Sequence, residues 1–386
     1  MPTADSPAPA PTAPHLSSPD SCSPGPLLAL SAGYWRSCAL HAAVALDVFT
    51  PLAAGPATAR ELAPGLGCDA RALDMLLTAM CGLGLLFRHA DTFSLAPQAA
   101  EFLVAGAPRY QGHIIRHHKN LVESFGQMAQ AVRQGGRVRG GPDWTEADRQ
   151  DFLLGMFNLA MGIAPRLAPQ LDALLVKAGV LKQGGLAALL ERPGGARLLD
   201  LGGGPGTYAI HFCLAWPGLA ATVFDQPTTR PFAEATARRF GLEYAPADPA
   251  DDAENETPDN TPGARLRFVP GDYTEDALPG GFHLAWLSHI LHGEGPDMAA
   301  RIVRKAAAGL EPGGVLMVHE FLLSDSLDGP EFPALFSLNM LLGTQGGQAY
   351  SARQLGEMLA EAGLVGIARL DFAGPNDSGV VAGVKP

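Results

Sequence analysis

Arg197-Leu198-Leu199-Asp200-Leu201-Gly202-Gly203-Gly204-Pro205-Gly206-Thr207 is the stretch on which the fold of this 386-residue chain turns. An apolar run ends in an acid and then in a burst of glycine. The pattern reads as a buried strand, a tight turn and the start of a helix over Tyr208 to Ala215. Glycine lets the backbone turn sharply and lets a ligand come close to it. The helix that follows aims free N–H groups and its positive dipole end at the turn, which favours an anionic group there.

Downstream of Ala196, strands alternate with helices, the signature of a parallel sheet. The predicted strands are Arg197–Leu201, Ala221–Phe224, Leu266–Val269, His283–Leu287, Gly314–His319, Val365–Asp371 and Val380–Val384. Gly374-Pro375-Asn376-Asp377 joins the last two as a hairpin, so one antiparallel strand is expected near the end of the sheet. Ser351-Ala352-Arg353-Gln354 is a capping box that opens a helix. Residues 248–262 are acidic and Pro-rich, with no apolar bulk, and read as a flexible insertion.

Upstream, the chain reads as helical. Residues 1–26 are rich in Pro, Ala and Ser and are expected to be disordered. Residues 27–49 form an apolar helical stretch whose surface needs a cover, such as another subunit. Thr58-Ala59-Arg60-Glu61 is a capping box, and Asp69 caps a second helix with Leu73, Leu76 and Leu77 on one face. A small hairpin around His89-Ala90-Asp91 completes a winged-helix outline. The would-be recognition helix carries Asp69, Arg71 and Asp74, so it lacks the cations a DNA reader uses on phosphate. A scaffold or dimerisation module is the expectation. Further on, His113 and His117 share a helix face at i, i+4, but no third ligand is spaced nearby for a metal. The domains read as 27–185, mainly helical, and 186–386, the nucleotide-binding part.

Composition bounds the function. A net charge of −12 argues against nucleic acid or an anionic membrane as partner. Cys22, Cys38, Cys68, Cys81 and Cys213 form no CxxC pair and are odd in number, which reads as reduced thiols in a cytoplasmic protein. The first residues lack a basic-then-apolar leader pattern, so no signal peptide is expected. No apolar run approaches the roughly 18 residues of a membrane helix.

A glycine turn alone fits NAD, FAD and S-adenosylmethionine. Three features narrow it. The turn is one residue shorter between its last two glycines than GxGxxG. Asp225 ends the second strand, where an acid accepts from both ribose hydroxyls. Gly271-Asp272-Tyr273 ends the third strand, where a carboxylate and a ring suit an adenine.

With these motifs in place, Asp200 to Gly206, Phe224-Asp225-Gln226-Pro227, Gly271-Asp272-Tyr273, Leu287-Ser288-His289-Ile290-Leu291-His292 and Leu310-Glu311-Pro312-Gly313-Gly314 occur in a familiar order. The chain resembles the S-adenosylmethionine-dependent small-molecule O-methyltransferases of the caffeate/acetylserotonin type, from about Leu27 onward. The resemblance implies a Rossmann-like class I methyltransferase domain behind a winged-helix dimerisation domain, and a homodimer. It implies S-adenosylmethionine at Gly202, Gly203, Gly204, Asp225, Gln226, Asp272, Tyr273 and Ser288, the last under the adenine edge. It makes His292 the general base toward an aromatic hydroxyl and Glu320 the acid that orients it. It places Arg116, His117, Met161, Met340 and Thr344 around the acceptor, and it implies no metal.

The chain departs from the family in two places. The family follows its base histidine with Asp-Trp, and here Gly293-Glu294 stand there. Its second orienting acid falls on Ala349, with Glu294 as a candidate replacement. Methylation at carbon or nitrogen of a pigment-like or tetrapyrrole molecule, a catalytically silent cofactor-binding protein, and an NAD-dependent oxidoreductase are the rival readings.

Overall fold

In a computed structural model the described residues are 23–138, 145–192, 194–246 and 265–386. The expected insertion 248–262 and nearly all of the expected tail 1–26 lie outside them. The chain forms two compact units that divide between Gly112 and His113.

In the first unit, the expected helical stretch is three helices, Gly25–Ser31, Tyr34–Ala45 and Phe49–Leu52. Asp47, with a left-handed φ of 54°, breaks the last of these from its predecessor. Leu28, Leu30, Tyr34 and Trp35 are exposed in the single chain. The capping box is made: Thr58 Oγ1 accepts from the Glu61 N–H at 3.2 Å, and Glu61 Oε2 accepts from the Thr58 N–H at 2.7 Å. It opens Ala59–Leu66, and Asp69 caps Ala70–Gly82, which buries Leu73, Leu77 and Met80. The hairpin is Leu86–His89 with Thr92–Leu95, and a strand the sequence does not announce, Ala57–Thr58, adds to it antiparallel. This is the winged-helix outline.

In the second unit, β1 (Ala196–Leu201), β2 (Leu219–Asp225), β3 (Leu266–Pro270), β4 (Phe282–Ser288), β5 (Leu310–Leu323), β6 (Val365–Arg369) and β7 (Ser378–Val384) form one sheet in the order β3-β2-β1-β4-β5-β7-β6. All seven predicted strands are present. The first five run parallel, and β7 is antiparallel to both β5 and β6. A short strand, Tyr350–Ser351, runs parallel to the end of β5. Side chains alternate across the pleat. Leu198, Val223, Leu284, Trp286 and Met317 pack on the Thr207–Ala215 side. Leu199, Leu201, Leu287, Leu316 and Val318 pack against Pro296–Ala308 and Ala352–Glu361. Both faces are covered, which explains why the strands read as continuous apolar runs.

The strand order reverses between β1 and β4, so a crevice opens at their carboxyl ends. The glycine turn, Asp225, Asp272 and His292 all follow strands that end there. The helical run Glu146–Lys177 is long and apolar enough to cross a membrane by length and composition, contrary to expectation. Its scattered polar residues break any unbroken apolar stretch without lowering the average enough, and half of its most apolar window is buried within the protein.

Candidate active site

The glycine turn is shaped by steric need. Gly202, Gly204 and Gly206 have φ of 66°, 53° and 69°, a region that favours glycine. A methyl group on Gly202 would lie 2.5 Å from Ile290 Cγ2 and 3.2 Å from the Tyr273 ring. One on Gly203 would lie 2.7 Å from the Asp200 carboxylate. In front of Gly204 there is open space. The turn is therefore closed on the protein side and open where a ligand would approach.

Asp225 lies opposite. Its Oδ2 accepts from the Gly204 N–H and its Oδ1 from the Gln226 N–H, both at 2.7 Å. Burial raises its pKa more than these bonds lower it. Asp272 is more open. Its Oδ1 accepts from the Thr274 N–H at 2.8 Å and hydroxyl at 2.6 Å, which hold its carboxyl below the usual range. Tyr273 reaches back to Gly202, so the ends of β1 and β3 meet.

Ser288, expected under the adenine edge, has its hydroxyl 2.9 Å from His319 Nδ1. His319 is fully buried, stacked on Trp286. Asp200 also is buried. Its Oδ2 accepts from the Ala209 N–H, while Oδ1 and Thr207 Oγ1 have no protein partner. Desolvation pushes the Asp200 carboxyl up to about 7. Because the folded chain then binds a proton more tightly than the unfolded one, this residue's stabilisation is full below the ordinary carboxyl value of 3.8 and is lost as pH rises toward about 7. Without ligand, stability should fall across that window by at most about 1.4 kcal/mol per pH unit from this group. Asp200→Asn should flatten the slope in urea titrations run from pH 4 to 8.

His292 sits in a short 3-10 turn, Leu291–Gly293, after β4. Its Nδ1 is 2.7 Å from Glu320 Oε2. Glu320 is 1% exposed, and its Oε1 accepts from the Leu291 and His292 N–H groups at 2.9 and 3.2 Å. Burial alone would raise its pKa. His292 beside it and the hydrogen bonds it accepts outweigh that and hold the carboxyl well below the usual range. An ionised carboxylate only accepts, so Nδ1 is the donor, and the lone pair of the neutral ring falls on Nε2.

Sequence reasoning missed several residues here. His289, at a left-handed φ of 57°, has Nδ1 3.5 Å from the same Glu320 Oε2, and burial lowers its pKa. His289, His292 and Glu320 offer three ligand-type atoms within 4.8 Å of one another. Phe336 meets the His292 ring edge-on at 4.7 Å, and Phe321 lies parallel to it at 6.2 Å. Phe332 stacks on Phe336 at 6.0 Å. Phe332, Phe336 and Met340 recur every fourth residue on the Glu331–Gly343 helix, a spacing that was legible as one face.

The remaining acceptor candidates form other groups. Arg116 makes a two-pronged pair with Asp151, with bonds of 2.9 Å to each oxygen, and His113 Nδ1 is 2.8 Å from Asp151 Oδ1. His117 is buried against the Phe152 ring, and desolvation, with His118 adding to it, brings its pKa down to about 4. Met161 Sδ is 3.3 Å from His211 Nε2. Thr344 Oγ1 donates to Met340 O and accepts from the Gly347 N–H, each at 2.8 Å.

Comparison with known proteins adds to this geometry. The sequence profile of the O-methyltransferase dimerisation domain matches residues 28–105, and that of a methyltransferase domain matches residues 177–368. The chain is 30% identical over 363 residues to 3-hydroxy-5-methyl-1-naphthoate 3-O-methyltransferase of Streptomyces sahachiroi, covering 92% of this chain and 94% of that protein. It is 30% identical over 372 residues to the tetracenomycin polyketide synthesis 8-O-methyl transferase TcmO of Streptomyces glaucescens, covering 94% and 97%. Among solved structures, PigF with SAH superposes with a TM-score of 0.75 at 26% identity, covering 94% of this chain and 100% of that one.

Proposed function

The chain belongs to the S-adenosylmethionine-dependent O-methyltransferase family, and on that premise we propose that it methylates a hydroxyl of an aromatic small molecule, with His292 Nε2 as the general base. The observation that carries the reading is the 2.7 Å contact between His292 Nδ1 and the buried Glu320, which leaves the other ring nitrogen basic. A phenol, with a pKa of about 10, is mostly neutral at pH 7. Proton removal by a positioned imidazole as the oxygen attacks contributes about 10²–10⁴ in rate. The half-buried stripe of Phe332, Phe336 and Met340 beside the ring gives a flat acceptor apolar walls. The two Streptomyces relatives are, by name, enzymes that methylate oxygen.

The residues fit the methyl donor. S-adenosylmethionine supplies, when bound, an electrophilic methyl group on a cationic sulfur. The open side of Gly202 to Gly204 admits close approach of the methionine part. Asp225 would turn its remaining lone pairs to the ribose, Gln226 lies beside it, and Asp272 and Tyr273 would hold the adenine. The unpartnered Asp200 Oδ1 and Thr207 Oγ1 await polar groups of a ligand or its water. Ser288, held by His319, would serve the adenine from one step behind. Arg116, His117, Met161, Met340 and Thr344 are proposed around the acceptor, with His117 neutral at pH 7.

The functional organisation we favour is residues 27–185 for dimerisation and acceptor lining, and 186–386 for the donor. The exposed Leu28, Leu30, Tyr34 and Trp35, within the matched dimerisation domain, support a homodimer. The four described cysteines are free, which supports a cytoplasmic enzyme. The acidic charge gives neither nucleic acid nor an anionic membrane an electrostatic handle.

The His289–His292–Glu320 cluster favours a second reading, metal-assisted chemistry. One experiment tests both. With labelled S-adenosylmethionine and a panel of phenols and hydroxynaphthoates, label should appear on oxygen of at least one acceptor, at the same rate with and without EDTA. Transfer only to carbon or nitrogen would overturn the hydroxyl assignment. Loss of turnover with chelator, restored by a divalent cation, would move the chemistry to a metal.

A further inference from the structure

Resting on the reading of His292 as base, we propose that Gly347 and Tyr350 are positioning residues that clasp the main chain of His292–Glu294 in place of a second orienting acid. Ala349, where such an acid would stand, has only a methyl group to offer, and its N–H donates to Ser337 Oγ at 3.0 Å. The support comes from its neighbours. The Tyr350 hydroxyl donates to the Glu294 main-chain oxygen at 2.6 Å, and the ring is 1% exposed. The contact Glu294 brings to the loop is thus its backbone and not its carboxylate.

Gly347 lies against the turn that carries the base. A methyl group there would collide with the His292 main-chain oxygen and would lie 2.8 Å from that of Gly293. One step back, a methyl group on Gly346 would lie 3.4 Å from Gly295 Cα, an ordinary contact, so the close approach is made at Gly347. Thr344 Oγ1 accepts from the Gly347 N–H at 2.8 Å and donates to Met340 O, tying the clasp to the helix whose Phe336 touches the His292 ring.

The arrangement holds the base from two directions. Glu320 fixes the ring through Nδ1 and the turn through two N–H groups. The Gly346–Tyr350 segment fixes the same turn through its carbonyl side. Since a misplacement of about 1 Å can cost about 10²-fold in rate, a carbonyl-side wedge acts on catalysis without touching substrate.

The test is a double-mutant cycle in the full-length enzyme. Gly347→Ala should lower kcat by about 10²-fold. Tyr350→Phe, which keeps the ring and removes one hydrogen bond, should lower it by up to about tenfold. KM for S-adenosylmethionine and affinity for S-adenosylhomocysteine should stay within about twofold of wild type. In a His292→Ala background both changes should cost nothing further, because there is no base left to position. Unchanged kcat in both single variants overturns the clasp. So does an equal loss in both backgrounds, or loss of S-adenosylhomocysteine binding alongside kcat, which marks general damage. If Gly347→Ala fails to fold, Tyr350→Phe carries the cycle alone. A silent His292→Ala defeats the general-base reading and the clasp with it, whereas a costly His292→Ala with non-coupled clasp variants defeats the clasp only.

Discussion

His292→Ala is expected to lower kcat by about 10²–10⁴-fold while leaving affinity for S-adenosylhomocysteine within about twofold. The separation follows from position. The imidazole stands after β4 between Phe321 and Phe336, whereas the residues proposed for the cofactor stand at the ends of β1, β2 and β3. The ring makes no contact on which the glycine turn depends: Gly202 and Gly203 are shaped by Ile290, Tyr273 and Asp200. Removing it leaves a half-buried space beside an aromatic wall. Turnover should then depend on the small fraction of acceptor already ionised, so the loss should shrink as pH is raised toward the phenol's own pKa, about 10. Single-turnover methyl transfer measured from pH 6 to 9, with calorimetric titration of S-adenosylhomocysteine, checks both halves. Turnover within threefold of wild type would remove His292 from the chemistry.

The fold was legible because its signals are local. Leu198 to Gly206 compresses a buried strand, a steric turn and a helix start into nine residues, and the capping boxes at Thr58 and Ser351 are formed as written. The motifs at Asp225 and Asp272 fall where they were expected because the ends of parallel strands face one crevice. What was not legible depends on tertiary approach. The partner of Ser288 Oγ, His319, is 31 residues away in sequence and adjacent only through the β4–β5 pairing. His289 read as one more residue of a motif, and its left-handed backbone and its approach to Glu320 are consequences of the β4 exit. The Ala57–Thr58 strand is two residues long and carries no periodicity to read. At Ala349 the sequence pointed to a gap in the support of His292 and to the Glu294 carboxylate as the filler. A backbone oxygen is invisible in a sequence, and there the contact is made by Tyr350.

Glu320→Gln is expected to be nearly as damaging as loss of the base itself, for a reason of proton bookkeeping at one nitrogen. In the wild type, Oε1 accepts from two main-chain N–H groups and Oε2 accepts from His292 Nδ1. The amide must keep its one oxygen toward Leu291 and His292 N–H, since the alternative sets two donors against its NH2. Its NH2 then faces Nδ1, which can satisfy it only by giving up its proton and accepting. The ring proton moves to Nε2, and the nitrogen facing the acceptor can no longer take one. The equivalent carboxylate-to-amide exchange in serine-protease triads costs about 10⁴-fold, and a loss of about 10³–10⁴-fold is expected here. The exchange removes a carboxylate that the fold favours in its ionised form, so the thermal midpoint should fall. The diagnostic outcome is a variant that still folds, with unaltered S-adenosylhomocysteine affinity and a histidine whose ring nitrogens exchange protonation in 15N spectra. If kcat stays within threefold of wild type, Glu320 is a structural acid and His292 does not rely on its tautomer. If kcat falls while the 15N spectrum keeps the proton on Nδ1, the loss comes from the missing negative charge beside a developing imidazolium and not from the tautomer.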